Sequence, residues 1–337
     1  MNEKNGLMVS VIIPSYQNGE ELPQAVDSVL EQDFTNFEII IVDNASTDDT
    51  SAICSQLLLR DSRINVIRLE QNCGPAGARN AGVEKARGKY LAFLDADDVW
   101  LANKLGAQVA ILENDPDVSL VFCDGILIDE QSGEERIISD INKVFKRPLG
   151  LTKIDDSKPV FYLQGDARSE LFRGNFINIS SVLLRKDVFA ALGGFDERCF
   201  GIEDFDLWVR LTKRYQMVYW FQMKIRCNWR PASLSRMNES RMREIVGYYL
   251  RCYHSEEFRD LKAISLENIY NSYKLLILHF AKKWKPKKAF EVFFESLGIH
   301  FFPKLLFYAL LSLLGNFPIF VKTKILNPMF RKPLADK

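Results

Sequence analysis

The chain has 337 residues, 47% of them apolar and 26% charged, an ordinary globular composition with enough apolar material for a large core or for two to three units. Lys+Arg and Asp+Glu are 44 each, so net charge gives no reason to expect a nucleic-acid partner. Six cysteines (54, 73, 123, 199, 227, 252) are scattered with no CxxC, which favours reduced thiols over a disulfide framework or a zinc site. Charge is nevertheless uneven along the chain. From Lys282 onward eleven Lys/Arg face only Glu291, Glu295 and Asp336, leaving a tail near +8 and a body near −8. The opening Met1–Gly6 is polar, with no apolar run of signal-peptide length, so the body is expected in the cytoplasm.

In chain order, Val9–Ile13 is a β-branched run stopped by Pro14 and predicts a first strand. Leu22, Val26, Val29 and Leu30 lie at helical spacing within 20–31. Phe37–Val42 predicts a second strand ending at Asp43, followed by a helix over 48–60 that Ser46 or Thr47 is placed to cap. A third strand (64–67), a third helix (77–86) and a fourth strand (90–94) follow. Strands separated by helices of this length predict a mostly parallel sheet flanked by helices, an α/β class. Residues 118–123 make a further strand, 129–166 read as irregular polar loops that cover a site, and 181–184 resume the sheet. A short helix (187–192) ends at Gly193-Gly194, a helix spans 204–214, and 217–221 is an apolar strand. Beyond Asn238 the pattern becomes helical. The expected divisions are 1–125, 126–238 and a helical, basic and apolar extension over 239–337, with no internal repeat.

The chemistry is concentrated where strands end. Asp95-Ala96-Asp97-Asp98 follows the apolar run Tyr90–Leu94. In extended chain, residues i and i+2 point the same way, so Asp95 and Asp97 converge on one ligand, and their hard oxygens suit Mg²⁺ or Mn²⁺ bound with a phosphate. The plainer alternative is a turn of solvated acids capping a helix that begins near Trp100. Three other strands end in polar groups: Pro14-Ser15-Tyr16, Asp43-Asn44-Ala45-Ser46 and Asn72-Cys73-Gly74-Pro75. Four polar strand ends at one edge of a parallel sheet predict a ligand crevice. Asp43 suits a nucleobase imide or a ribose hydroxyl, and Tyr16 suits either stacking on a base or a plain exposed turn position. The glycines have neither dinucleotide nor P-loop spacing.

These stretches, Val11-Ile12-Ile13-Pro14-Ser15-Tyr16, Ile40-Ile41-Val42-Asp43-Asn44-Ala45-Ser46-Thr47-Asp48, Asn72-Cys73-Gly74-Pro75-Ala76-Gly77-Ala78-Arg79-Asn80 and Leu94-Asp95-Ala96-Asp97-Asp98, closely resemble the signatures of family 2 glycosyltransferases with the GT-A fold. The resemblance covers roughly 8–236. It implies a nucleotide-sugar donor, a UDP-sugar first, a divalent metal (Mn²⁺ or Mg²⁺) and transfer with inversion. Carried over by position, Pro14, Ser15, Tyr16, Asp43, Asn44 and Asn72 would hold the nucleoside, and Arg79 would steady Asp43 or the base pocket. Asp95, with Ala96 beside it, would reach the ribose or the metal, and Asp97 would ligate the metal. Asn44-Ala45 departs from the family's more usual Asp-Gly. Glu203-Asp204 resembles the family's ED motif, which assigns general base to Asp204 and, second, to Glu203; taken alone, acids there simply favour a helix N-terminus. Arg230 stands where the family often has a histidine, and an arginine can pair with a phosphate. Phe172–Asn178 is expected on the acceptor side.

Together these readings predict an inverting glycosyltransferase that acts on a glycan or lipid-linked acceptor in cell-surface polysaccharide synthesis. The alternatives are a nucleotidyltransferase, which would want a glycine-rich loop after the first strand, and a non-catalytic sugar-nucleotide-binding subunit. The Leu/Phe-rich stretch 301–321 is interrupted by Pro303, Lys304, Asn316 and Pro318 and reads poorly as a membrane span. Aromatics near Lys282-Lys283-Trp284-Lys285-Pro286-Lys287-Lys288 suit peripheral contact of 282–337 with the cytoplasmic face of an anionic membrane. The competing reading is packing on the body or on a second subunit, as a homodimer.

Overall fold

A computed structural model describes residues 6–141, 150–154, 159–229, 238–300 and 302–311. The chain divides into two compact units, Met1–Arg236 and Met237–Lys337. In the first, β1 (Val9–Ser15), α1 (Leu22–Leu30), β2 (Phe37–Asp43), α2 (Thr50–Arg60), β3 (Ile64–Arg68), α3 (Gly74–Lys85) and β4 (Tyr90–Phe93) alternate. They form the parallel half of a sheet in the order β3-β2-β1-β4. β2 and β4 are buried at every residue and β1 at all but Pro14, which is why they read as unbroken apolar runs.

Register then aligns the strand ends. Ser15 pairs with Asp43 and Asp43 with Arg68, so the polar termini of three strands share one edge. Helix α3 lies close over this edge. A Cβ at Gly82 would come 2.6 Å from Ile12 and 3.1 Å from Val42, so only glycine permits that approach.

The remainder of the sheet is built from β5 (Val99–Trp100), β6 (Val118–Asp129), β7 (Glu135–Ile137), β8 (Thr152–Lys153), β9 (Val160–Tyr162), β10 (Val182–Arg185) and β11 (Gln216–Trp229). It completes an 11-stranded mixed sheet, β3-β2-β1-β4-β10-β6-β11-β9-β8, with β5 on β11 and β7 on β6. Strand β10 runs antiparallel to both β4 and β6. Its beginning therefore lies beside the end of β4, which sets the 3-10 turn Ile179–Ser181 against the Asp95–Asp98 loop.

The helices α4 (Leu105–Asn114), α5 (Ile138–Ile141), α6 (Ala167–Arg173), α7 (Lys186–Ala191) and α8 (Glu203–Leu211) complete this unit. Helix α8 buries Phe205, Leu207, Trp208, Val209 and Leu211 and starts after Gly201 at φ +69°. Among the described residues, the second unit contains α9 (Glu239–His254), a 3-10 stretch Glu256–Leu261, α10 (Lys262–Lys282), α11 (Pro286–Leu297) and α12 (Pro303–Leu311).

Several local expectations change. The segment at Trp100 is a strand paired with Arg226 and Ile225, and the helix starts only at Leu105. Tertiary pairing with β11 outweighs the capping signal of the acids. The irregular 129–166 stretch contributes β7, β8 and β9 to the sheet, and β6 and β11 run on to Asp129 and Trp229 because each completes the other's ladder. Helix α3 starts at Gly74, with Pro75 in the first turn where a missing N–H costs nothing. Neither Ser46 nor Thr47 caps α2. The Ser46 hydroxyl accepts from the Gln17 N–H at 3.1 Å, and Asp48 accepts from the Thr50 N–H at 3.1 Å. Among the described residues no helix is long and apolar enough to cross a membrane.

Candidate active site

At the end of β2 the Asp43 carboxylate is buried. One oxygen accepts from the Ser46 N–H at 2.9 Å, while the other lies 3.9 Å from Arg68 Nε and has no hydrogen bond among the described residues. Its register partner Ser15 is also buried, with a hydroxyl likewise unmatched. Two orphaned polar groups side by side on one face call for a polar ligand. Pro14 sits just inside them and Tyr16 is 45% exposed at the rim, its hydroxyl accepting from Gln17.

Asn44 plays a different part. Its Nδ2 donates to Asn72 Oδ1 at 3.1 Å and to the Gly74 carbonyl at 3.2 Å, and its Oδ1 accepts from the Cys73 N–H at 3.0 Å. Asn44 thus ties the end of β2 to the 72–74 loop after β3 with its whole amide, and the Asn72 oxygen is held by Asn44 and the Gly74 N–H. Beyond them the Phe200 ring lies against Gly74, 3.2 Å from where a Cβ would sit.

The acidic loop after β4 is knitted from below. The Ser180 hydroxyl donates to Asp98 Oδ2 at 2.6 Å and accepts from the Asp95 N–H at 3.1 Å. The Trp100 indole N–H donates to the Ser180 carbonyl at 2.8 Å, and Asn228 Nδ2 donates to the Asp97 carbonyl at 3.0 Å. Asp98 and Ala96 point inward and are buried, whereas Asp95 and Asp97 are half-buried. Burial, then the charges of Asp95 and Asp97, hold the Asp98 carboxyl well above the usual range. Under the loop, Lys104 is fully buried over the Trp100 ring and donates to Gln108 at 2.8 Å; burial brings its amine down to about 8.

Arg79 reaches this loop from α3. It donates to Asp95 Oδ1 at 2.6 Å and to Glu203 Oε1 at 2.5 Å, and is almost wholly buried. Burial alone would lower its basicity, but the carboxylates of Asp95 and Glu203 overcome that and hold it above its ordinary value. The expectation that Arg79 steadies Asp43 is corrected: its place one turn into α3 aims it at the end of β4 and the start of α8. Among the described residues, Glu203 keeps one buried oxygen without a hydrogen bond. Asp204 is half-buried, accepting from the Phe205 N–H at 2.7 Å and from Asn175 Nδ2 at 3.2 Å. Burial, with Glu203 next to it, pushes its carboxyl up to about 7, against a lowering pull from Arg79.

The structure thus brings Asp95, Glu203 and Arg79 into one network, with Asp204 next to it in the chain. Arg230 lies outside the described residues. Asn175, Ser180 and Asn228 are site residues that sequence reasoning did not assign. Asn175 lay in the stretch expected on the acceptor side, while Ser180 carried no local signal. A second acidic group, Asp196, Cys199 and Asp206, has one ligand atom from each within 4.8 Å of the others. Its carboxylates are already held by arginine, Asp206 by Arg210 at 2.7 Å and Asp196 by Arg198 at 2.8 Å.

A parallel β3-β2-β1-β4 half with orphaned polar groups at its strand ends, an acidic loop after β4 and an antiparallel continuation define the GT-A class of glycosyltransferase fold. Solved structures agree. A mannosyltransferase from Pyrobaculum calidifontis, PcManGT, in complex with GDP-Man and Mn²⁺, superposes over 97% of this chain and 85% of its own, with TM-score 0.55 and 18% identity. S. aureus TarS 1–349 in complex with UDP-GlcNAc superposes over 85% and 79%, with TM-score 0.58 and 18% identity. The chain matches the Glycosyl transferase family 2 model over residues 10–167, just under half of its length. It is 47% identical over 105 residues to the putative teichuronic acid biosynthesis glycosyltransferase TuaG of Bacillus subtilis (strain 168), a stretch covering 31% of this chain and 42% of TuaG.

Proposed function

We propose that this chain is an inverting glycosyltransferase. It moves a sugar from a nucleotide-sugar donor, a UDP-sugar first, to a hydroxyl of a glycan or lipid-linked acceptor in surface-polysaccharide assembly. The observation that carries the reading is the Arg79 bridge, which holds the acidic strand end at Asp95 beside the Glu203-Asp204 pair. The name of TuaG, a teichuronic acid glycosyltransferase, supports the polysaccharide setting. On this reading residues 1–125 hold the donor and 126–238 the acceptor, with 239–337 an extension. Arg230 would pair with a donor phosphate.

Each residue then has a task. Ser15 and Asp43 offer their unmatched oxygens to the nucleoside, with Tyr16 against the base. Asn44 and Asn72 keep that pocket's wall in place. Asp95, which has one oxygen engaged by Arg79, and Asp97 would hold a divalent cation; the segment expected to be extended is a turn closed by the Asp98 N–H on the Asp95 carbonyl at 3.0 Å, and two hard carboxylates on that turn fit Mn²⁺ or Mg²⁺. A cation bound there would offset charge on the diphosphate. Asp204, oriented by Asn175 and the Phe205 N–H, takes the proton of the acceptor hydroxyl as that oxygen attacks the anomeric carbon from the face opposite the diphosphate. A base near pH 7 balances ionisation against proton affinity.

Transfer assays with a panel of nucleotide sugars, with and without EDTA, test the proposal. Asp204→Asn should lower turnover by about 10²–10⁴-fold with donor affinity retained. Native turnover in that variant would remove Asp204 from the mechanism, and full activity in EDTA would remove the cation.

A further inference from the structure

We propose that the α10–α11 turn and the outer face of α11 form a docking surface for an anionic lipid bilayer. The turn is Lys282-Lys283-Trp284-Lys285-Pro286-Lys287-Lys288, and all five of its lysines are exposed. Trp284 sits at its apex at φ +56° and is 57% exposed. Among the described residues, only Lys288 of the five has a carboxylate at ion-pair distance, Glu239 at 4.0 Å.

Helix α11 carries two apolar faces. Ala289, Val292, Phe293 and Ser296 are buried on the inner face, as a surface helix requires. On the outer face, Lys287, Phe290, Phe294 and Leu297 follow one another at spacings of three and four residues. Phe294 is 62% exposed and Leu297 38%, and the Phe290 and Phe294 rings stand 6.5 Å apart. Pro286 opens the helix directly from the lysine turn, so the apolar stripe and the cationic cluster are continuous.

Charge chooses the occupant. An apolar partner helix would be served by Phe290, Phe294 and Leu297 but would gain nothing from five solvated ammonium groups and an exposed indole. A polyanion would use the lysines and leave the stripe in water. An anionic bilayer uses both: its surface potential attracts the lysines, Trp284 sits at headgroup level, and the phenylalanines enter the acyl boundary. The proposal goes beyond glycosyl transfer and does not depend on it.

Flotation of the full-length protein with vesicles of two parts phosphatidylcholine to one part phosphatidylglycerol, at about 0.1 M salt, tests it. Each lysine near such a surface is worth about five-fold in partitioning, so Lys283→Gln/Lys285→Gln/Lys287→Gln should bind about 100-fold more weakly. Brominated lipid should quench tryptophan emission in the native protein and much less in Trp284→Phe, since Trp100, Trp208 and Trp220 are buried and Trp229, half-buried at the end of β11, is removed in a Trp229→Phe background used for both proteins. Both variants should keep native melting temperatures, which separates lost docking from lost folding. Equal binding to pure phosphatidylcholine would overturn the proposal. So would equally tight binding of a DNA duplex, or a lysine-dependent dimer in sedimentation that leaves vesicle binding unchanged.

Discussion

Replacing Arg79 by methionine tests the network that joins the strand ends to α8. The arginine side chain is 5% exposed and that of Glu203 4%, whereas Asp95, at 35%, can be solvated when its partner goes. Removing one member of a buried pair strands the other, at a cost of about 3–5 kcal/mol. In a folded unit of this size that lowers the melting temperature by about 6–20 °C. Glu203→Gln alone should cost about 1–2 kcal/mol, because Arg79 keeps Asp95. The double variant should recover about 1–2 kcal/mol relative to Arg79→Met, since no buried charge is then uncompensated. Thermal and urea unfolding of the four proteins measures all of this. Additive losses would refute the assignment of the bridge.

Under the proposed mechanism Asp204 links catalysis and stability with opposite signs. Its carboxyl is raised to about 7, so turnover should fall about tenfold per unit as pH drops below 7, measured in kcat against pH. Between about pH 4 and 7 the folded protein keeps a proton that the unfolded chain has released, so this residue makes stability decline as pH rises through that window. Asp204→Asn should therefore melt higher than the native protein at pH 8 but not at pH 4; parallel pH dependence in the two would contradict this. Ala45 stands at φ +61°, where an L-residue costs about 1–2 kcal/mol, partly offset by glycine's greater loss of freedom on folding. Ala45→Gly should raise the melting temperature by about 2–4 °C. A lower value would mean that the methyl group packs.

The family's more usual glycine after the second strand thus has a physical basis at Ala45, and the chain shows how far its own pattern reaches. Apolar runs ending in Ser15, Asp43 and Asp95 gave away the strands and their polar edge, because a parallel strand buried on both faces has few other ways to be written. Helix spacing in α1 was equally local. Where two signals competed locally, tertiary pairing decided: acids before Trp100 look like a helix cap, yet β11 captures Val99–Trp100 as a strand. The placement of Ser180 beneath Asp95 and Asp98 had no local trace, since it follows from the antiparallel insertion of β10 between β4 and β6.

By itself, then, the amino-acid order determined the alternation of strands and helices, the acids at strand ends and the basic, aromatic turn near Trp284. Tertiary structure alone decided that Arg79 serves Asp95 and Glu203 instead of Asp43, and that Asp204 holds its proton up to about neutral pH. The reason is range. Periodicity and strand-end chemistry act between neighbours in the chain, whereas ion pairing and desolvation depend on groups far apart in it, 124 residues for Arg79 and Glu203.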